Sequence, residues 1–344
     1  MSLKFGIGLL SSDVRATARH ARLADDLGYD LVRIADSQCL FRDLYVALTL
    51  VALETKRTLI GPGVTNPITR HPTVTAGAIA TIDELSEGRA ILGLGAGDSA
   101  VLNIGEKPAS AETLKEYVVA LRALFEHGEA IFRGKPIRLT WAKRQIPIWI
   151  AGAGPKALRL AGEIADVAIM GSGFLPESIR ASMAYVEEGV RRAGRGPKDV
   201  EIWVFGPANV ADTRKAAIEP LRAAAAATGH LSFARGLEHA GVPSELVPAV
   251  QRLRKEYRTQ EHQGGAGSFN ARLVDELGLT EYMTRRFTLA GTPEECIEQA
   301  RAVEATGVRG LMLTIVTPDP GHAIRDLGER VMPALRSNGS APLT

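Results

Sequence analysis

Short apolar runs alternate with stretches of helical period along nearly the whole chain. The first run covers 3–10. It is followed by 13–27, where Val14, Ala18, Ala21, Ala24 and Leu27 share one face and Gly28 stops the helix. Further strands are predicted over 31–35, 58–64, 90–94, 148–151, 167–170, 200–205 and 310–316. Helices are predicted over 43–54, 71–85, 111–126, 176–193, 213–227 and 293–305, and from about 321 to 335, with another starting near Pro155. Several strands are apolar at almost every position, the pattern of strands covered on both faces.

Strict alternation of this kind makes a parallel sheet, and eight cycles over this length favour closure into a single (β/α)8 TIM barrel. Two stretches depart from the regular spacing. Residues 131–141 read as an extra hairpin between the fourth and fifth cycles. Residues of about 229–286 read as a polar, partly helical insertion between the seventh and eighth strands, with a glycine-rich break at 264–267. The expected organisation is one barrel domain over 1–337 and a polar tail over 338–344.

Composition narrows the function classes. Of 344 residues, 45% are hydrophobic, which excludes disorder. Forty-one basic residues against 39 acidic ones leave a net charge of +2, so no nucleic-acid or polyanion partner is expected. The N-terminus lacks a signal-peptide pattern, and the uncharged apolar run 44–53 is far short of the ~20 residues of a spanning helix. Two cysteines, Cys39 and Cys296, cannot form a disulfide framework, so a soluble cytoplasmic protein without a membrane partner is expected. Cys39, with only Arg42 nearby as a base, is expected to be buried and inert.

In a barrel of this type, ligand groups sit where strands run into helices. Asp36 follows the second strand. Gly63, Val64, Thr65 and Asn66 follow the third, and Gly95, Gly97 and Asp98 the fourth. Gly152 and Gly154 follow the fifth, and Ser172 and Gly173 the sixth. Glycines there bring backbone N–H groups close to a flat or phosphorylated ligand, although turn geometry alone also places glycines at strand ends. A phosphate at the helix beginning near Pro155 would gain from the exposed amides. Gly152-x-Gly154-x-x-Ala157 partly matches a dinucleotide fingerprint, but the following strand ends Ile169-Met170-Gly171-Ser172, without the acid a ribose needs. No histidine or cysteine pair has metal-ligand spacing, so no metal is expected. His71 stands before Pro72, where capping a helix competes with donating to a ligand. After the eighth strand, Thr317-Pro318-Asp319-Pro320 lacks the glycine cluster of a phosphate-ester barrel enzyme.

Residues 61–99, GPGVTNPITRHPTVTAGAIATIDELSEGRAILGLGAGDS, are the most specific signal in the chain. They resemble the luciferase-like flavin- and deazaflavin-dependent oxidoreductases, most of all the branch of F420-dependent methylenetetrahydromethanopterin reductases. The likeness extends to residues 4–7, 146–155, 161–166 and 287–293, and is weakest over about 229–286. It implies a cofactor ring against a bulge after the third strand, with a non-prolyl cis peptide at Gly63–Val64. By this carry-over Asp36, Thr65, Asn66, Gly97 and Asp98 line the ring region, with Gly63, Val64 and Gly95 beside them. Gly152, Gly154, Ser172 and Gly173 then lie near the cofactor tail.

Two positions depart from the reductases. They carry a glutamate where this chain has Gly8, and Asp-His where this chain has Asp36-Ser37. The obvious proton carriers are thereby missing, which argues for a substrate other than methylenetetrahydromethanopterin. Asp36 and His71 are left as the candidates for catalysis. The resulting expectation is an FMN-dependent monooxygenase using reduced flavin and O2 on a small organic substrate. The alternatives are F420-dependent hydride transfer and a non-catalytic flavin-binding barrel. The FMN reading requires a separate NAD(P)H:flavin reductase, since no NAD-binding segment is visible. A homo-oligomer is expected, with the insertion as lid and substrate selector.

Overall fold

The computed structural model describes residues 2–142, 144–233, 237, 241–258, 261 and 267–336. Its strands are β1 (Lys4–Leu9), β2 (Leu31–Ile34), β3 (Leu59–Pro62), β4 (Leu92–Leu94), β5 (Glu129–Phe132) and β6 (Lys135–Arg138). They continue with β7 (Ile148–Gly152), β8 (Val167–Met170), β9 (Glu201–Val210), β10 (Leu289–Gly291) and β11 (Gly310–Thr314). The main sheet runs β3-β2-β1-β11-β9-β8-β7-β4, with every described pairing parallel. Parallel bridges from Ile60 to Ala90 and from Thr65 to Leu94 join its two ends. The result is the expected eight-stranded barrel wrapped in helices.

Strand alternation sorts side chains between two cores. Phe5, Ile7, Leu9, Val32 and Ile34 face outward into the helix layer. Leu31, Ile91, Trp149, Val167, Ile169, Trp203 and Met312 fill the barrel interior, where the rings of Trp149 and Trp203 lie 4.9 Å apart. The interior is packed below the C-terminal strand ends, so ligand chemistry is confined to the mouth.

The predicted hairpin is present as the antiparallel pair β5 and β6. Its turn residues Arg133 and Gly134 both have positive φ, the geometry that suits a two-residue hairpin. The helix expected over 213–227 is instead broken in two. It runs Arg214–Ile218, passes through a tight turn Glu219–Leu221 that contains Pro220, and resumes as Arg222–Phe233. Proline has no N–H for the helical ladder and its ring crowds the preceding turn. The strand expected to end at 205 continues to Val210, because its far half pairs with β10, a three-residue strand too short to leave a period. Between β9 and β10 the helices Val247–Glu256, Phe269–Glu276 and Thr280–Phe287 pack with Arg222–Phe233 around Phe233, Val250, Leu253, Leu273 and Met283. The polar tail and most of the 264–267 break lie outside the described residues.

Cys39 corrects its expectation: it is exposed on the turn after β2. Cys296 is the buried thiol, and burial pushes its pKa up to about 12. Among the described residues no helix is long and apolar enough to cross a membrane.

Candidate active site

The strand ends at the barrel mouth enclose a cavity of about 530 Å³. Gly63, Gly95, Gly97, Gly152 and Gly171 contribute bare backbone to its wall, with Val64, Ile169 and Phe205 among its apolar surfaces. Such a slot suits a flat ring better than a branched side chain. A cavity of about 630 Å³ lies at the opposite end of the barrel, beside Lys4 and Arg309. It is larger, but it sits at the N-terminal face, where barrels of this type carry stability and not chemistry.

The Gly63–Val64 peptide is cis, at the position the resemblance implies. Thr65 is fully buried behind it and does not line the cavity. Its amide donates to Gly93 O, its carbonyl accepts from Gly95 N, and its hydroxyl donates to Asp36 at 2.6 Å. Asn66 lines the cavity, with its side-chain oxygen accepting from the amides of Ile68 and Thr69 at 3.0 Å each. Gly97 has φ +94°, so the turn into Asp98 needs a residue without a Cβ.

Asp36 also lines the cavity, yet its carboxylate is occupied. Arg70 donates to it at 2.5 and 3.3 Å, and the side chain is only 1% exposed. Arg70 is held in turn by the ring of Tyr45, 5.2 Å beneath its guanidinium, and its carbonyl accepts from Tyr117 Oη. Ser37 and Ser99 share a 2.9 Å hydrogen bond that ties the loop after β2 to the loop after β4. His71 lies outside the cavity. It caps helix Pro72–Leu85, its Nδ1 within 2.8 Å of Thr73 Oγ1, and its ring meets Phe132 edge-on. Helix capping has won over ligand contact, which removes His71 from the catalytic candidates.

Gly152 lines the main cavity, whereas Gly154 opens onto a second one of about 540 Å³. Ala96 and Ala157 border both. The second cavity collects the N-termini of helices Pro155–Ile164 and Ala111–His127 together with Lys156. Two helix starts, Lys156 and Arg159 favour an anion in this cavity, and Glu112, which also lines it, opposes one. Ser172 and Gly173 line neither cavity. They pack on Arg286, whose Nε donates to Ser172 O, while the Gly173 backbone approaches Arg286 O closely.

Three further residues escaped the sequence reading. Arg33 projects into the barrel interior, donating to Gly63 O and to Thr314 Oγ1, with Phe205 5.5 Å away. Burial lowers its pKa to about 10, so it stays protonated at neutral pH. An arginine within the otherwise apolar strand Leu31–Ile34 was its visible signal. Arg70 gave no such signal. His230 and its neighbours Thr228 and Leu231 reach the cavity from helix Arg222–Phe233. His230 stacks on Tyr257 at 4.0 Å, and burial with the nearby Asp98 carboxylate pushes the Tyr257 hydroxyl upward.

A family model described as luciferase-like monooxygenase matches residues 4–310. The chain belongs to that family. This luciferase-like protein is 31% identical over 328 residues to the 5,10-methylenetetrahydromethanopterin reductase of Archaeoglobus fulgidus, covering 92% of this chain and 95% of that one. It is 28% identical over 303 residues to the F420-dependent glucose-6-phosphate dehydrogenase of Nakamurella multipartita, covering 84% and 81%. The solved coenzyme F420 dependent tetrahydromethanopterin reductase from Methanopyrus kandleri superposes with a TM-score of 0.80 at 27% identity, covering 98% and 100%. The luciferase-like chain is therefore an oxidoreductase, and the non-catalytic reading falls away.

Proposed function

We propose that the chain transfers a hydride between a bound deazaflavin of the F420 type and a small organic substrate. The observation that carries this is the likeness, over more than four fifths of each chain, to enzymes of two different substrates, a pterin reductase and an F420-dependent sugar-phosphate dehydrogenase. It favours deazaflavin chemistry over the FMN monooxygenase to which the sequence alone leans. When bound, the cofactor supplies the hydride donor or acceptor; the protein supplies orientation and a dry pocket.

In this reading the bare backbone of Gly63, Gly95, Gly97 and Gly152 holds the ring against Val64. The helix start at Gly154 and Lys156 hold the phosphate tail. Asp36 serves as a structural anchor for the bulge, since Arg70 and Thr65 take its oxygens. Proton exchange then falls to Asp98 and His230, the other titratable side chains of the cavity among the described residues. Arg33 takes the space in front of Gly8, which supports a substrate other than methylenetetrahydromethanopterin. Helix Arg222–Phe233 and the segment behind it act as lid and selector, and the barrel with this lid works as one unit.

The second reading, FMN-dependent monooxygenation with a separate reductase, is favoured by the description of the family itself. Titration of the purified chain with F420 and with FMN separates them. Tight F420 binding with turnover in the absence of O2 is expected. Tight FMN binding with O2-dependent turnover would overturn the deazaflavin reading.

A further inference from the structure

Arg33 is a buried cation that does not itself line the cavity but bonds the carbonyl of Gly63, which does. Alternation along β2 sends Val32 and Ile34 outward to the helices and leaves Leu31 and Arg33 pointing into the barrel. The side chain runs between two glycines. A Cβ at Gly63 would lie 2.1 Å from Arg33 Cδ, and one at Gly8 would lie 2.7 Å from Cζ and Nη2. The guanidinium thus stacks on Gly8, and the space it fills exists only because both positions lack a side chain.

Its charge has no counterpart among the described residues. No carboxylate among them pairs with it; its acceptors are the neutral Gly63 carbonyl and Thr314 hydroxyl, and Nε has no partner at all. The residue is 5% exposed. Burying an uncompensated cation opposes folding, and a leucine or methionine would fill the same space more cheaply. Two of its neighbours, Gly63 and Phe205, line the cavity, so the charge lies one layer behind the cavity wall.

We propose that Arg33 supplies a fixed positive charge under the ring site that favours the reduced, more negatively charged form of the bound ring over its oxidised form. This rests on the deazaflavin reading above. A bound ring reduced by a hydride would carry one more negative charge for as long as it took up no further proton, and a guanidinium held in place by Gly63 and Thr314 would meet that charge without rearranging. Arg33 is in this sense a positioning and charge-holding group, and its own proton does not move.

The test is anaerobic equilibrium binding of oxidised F420 and borohydride-reduced F420 to wild type, Arg33→Met, Arg33→Gln and Arg33→Lys. The preference for the reduced form, taken as the ratio of the two Kd values, should fall about 10-fold or more in Arg33→Met and Arg33→Gln, the scale of a hydrogen bond to a charged group. It should persist largely in Arg33→Lys. An unchanged ratio in the neutral variants overturns the inference and leaves the deazaflavin reading standing. Wild type that binds neither form of F420 overturns both. Wild type alone gives a second readout, independent of how the variants fold. The bound reduced ring should lose its proton at least about one pH unit below the free ring, by absorbance; an unshifted or raised value overturns the inference.

Discussion

Arg70 grips the carboxylate of Asp36 from 34 residues away, bridging the loop after β2 to the segment that follows the bulge. The pair is nearly dry, so its removal is felt as an uncompensated charge. Arg70→Met is expected to destabilise the protein by about 3–5 kcal/mol, the cost of breaking a buried pair from one side. Asp36→Asn in the same chain should restore part of it. Urea denaturation of the two single variants and the double variant measures the coupling.

His71 caps a helix and does not line the cavity. His71→Ala should therefore cost about 0.5–1 kcal/mol of stability and leave kcat/KM unchanged. A large fall in kcat/KM without a fall in stability would return His71 to the catalytic site.

Lys156 stands at a helix start on the second cavity. Lys156→Glu is expected to weaken binding of phosphate-bearing F420 by about 10-fold or more, since it reverses a charge beside the helix dipole. Binding of the same ring without its phosphate should change little. Fluorescence titration with both ligands separates tail contacts from ring contacts.

Helix Leu44–Glu54 is apolar all round, with Val46 56% and Leu53 64% exposed. An all-apolar helix calls for cover on its outer face as well. Together with exposed Val74 on the neighbouring helix Pro72–Leu85, it supports a homo-oligomer built through this side of the barrel. Val46→Glu combined with Leu53→Glu should convert the assembly to monomer in sedimentation experiments. A wild type that is already monomeric under the same conditions would refute the interface.

The two cysteines should differ sharply. Cys39 is exposed and should react at once with a thiol reagent, whereas Cys296 should react only on unfolding. Burial raises the Cys296 pKa from near 9 to about 12. Above pH 9 the unfolded chain ionises this thiol while the folded chain does not. The Cys296 contribution to stability is thus full below pH 9 and is lost as pH rises towards 12. Cys296→Ser or Cys296→Ala should flatten stability measured across that range.

The barrel was legible because its strands are covered on both faces and so read as continuous apolar runs. The bulge was legible because Gly63-Val64-Thr65-Asn66 is a local pattern. What stayed hidden depends on contacts far apart in the chain. Nothing near Arg70 announces that Asp36 lies opposite it, and nothing near His230 announces the cavity that helix Arg222–Phe233 crosses. β10 escaped because it is too short to carry a period. Gly8 was read as a lost glutamate, whereas in the folded chain it is the surface on which Arg33 lies.

The seam between β3 and β4 differs from the other joints of the barrel. Here a Cβ at Gly61 would lie 2.2 Å from Ile91 O, and one at Gly93 would lie 2.2 Å from Pro62 O. Backbone meets backbone with no side chain between, and Thr65 and Gly95 finish the closure from inside the cavity wall. The closure of the ring and the wall of the ligand cavity therefore share the segment from Gly63 to Gly95. A ligand that binds only the closed barrel stabilises this joint as well, so occupancy at the mouth and cohesion of the whole cylinder rise together.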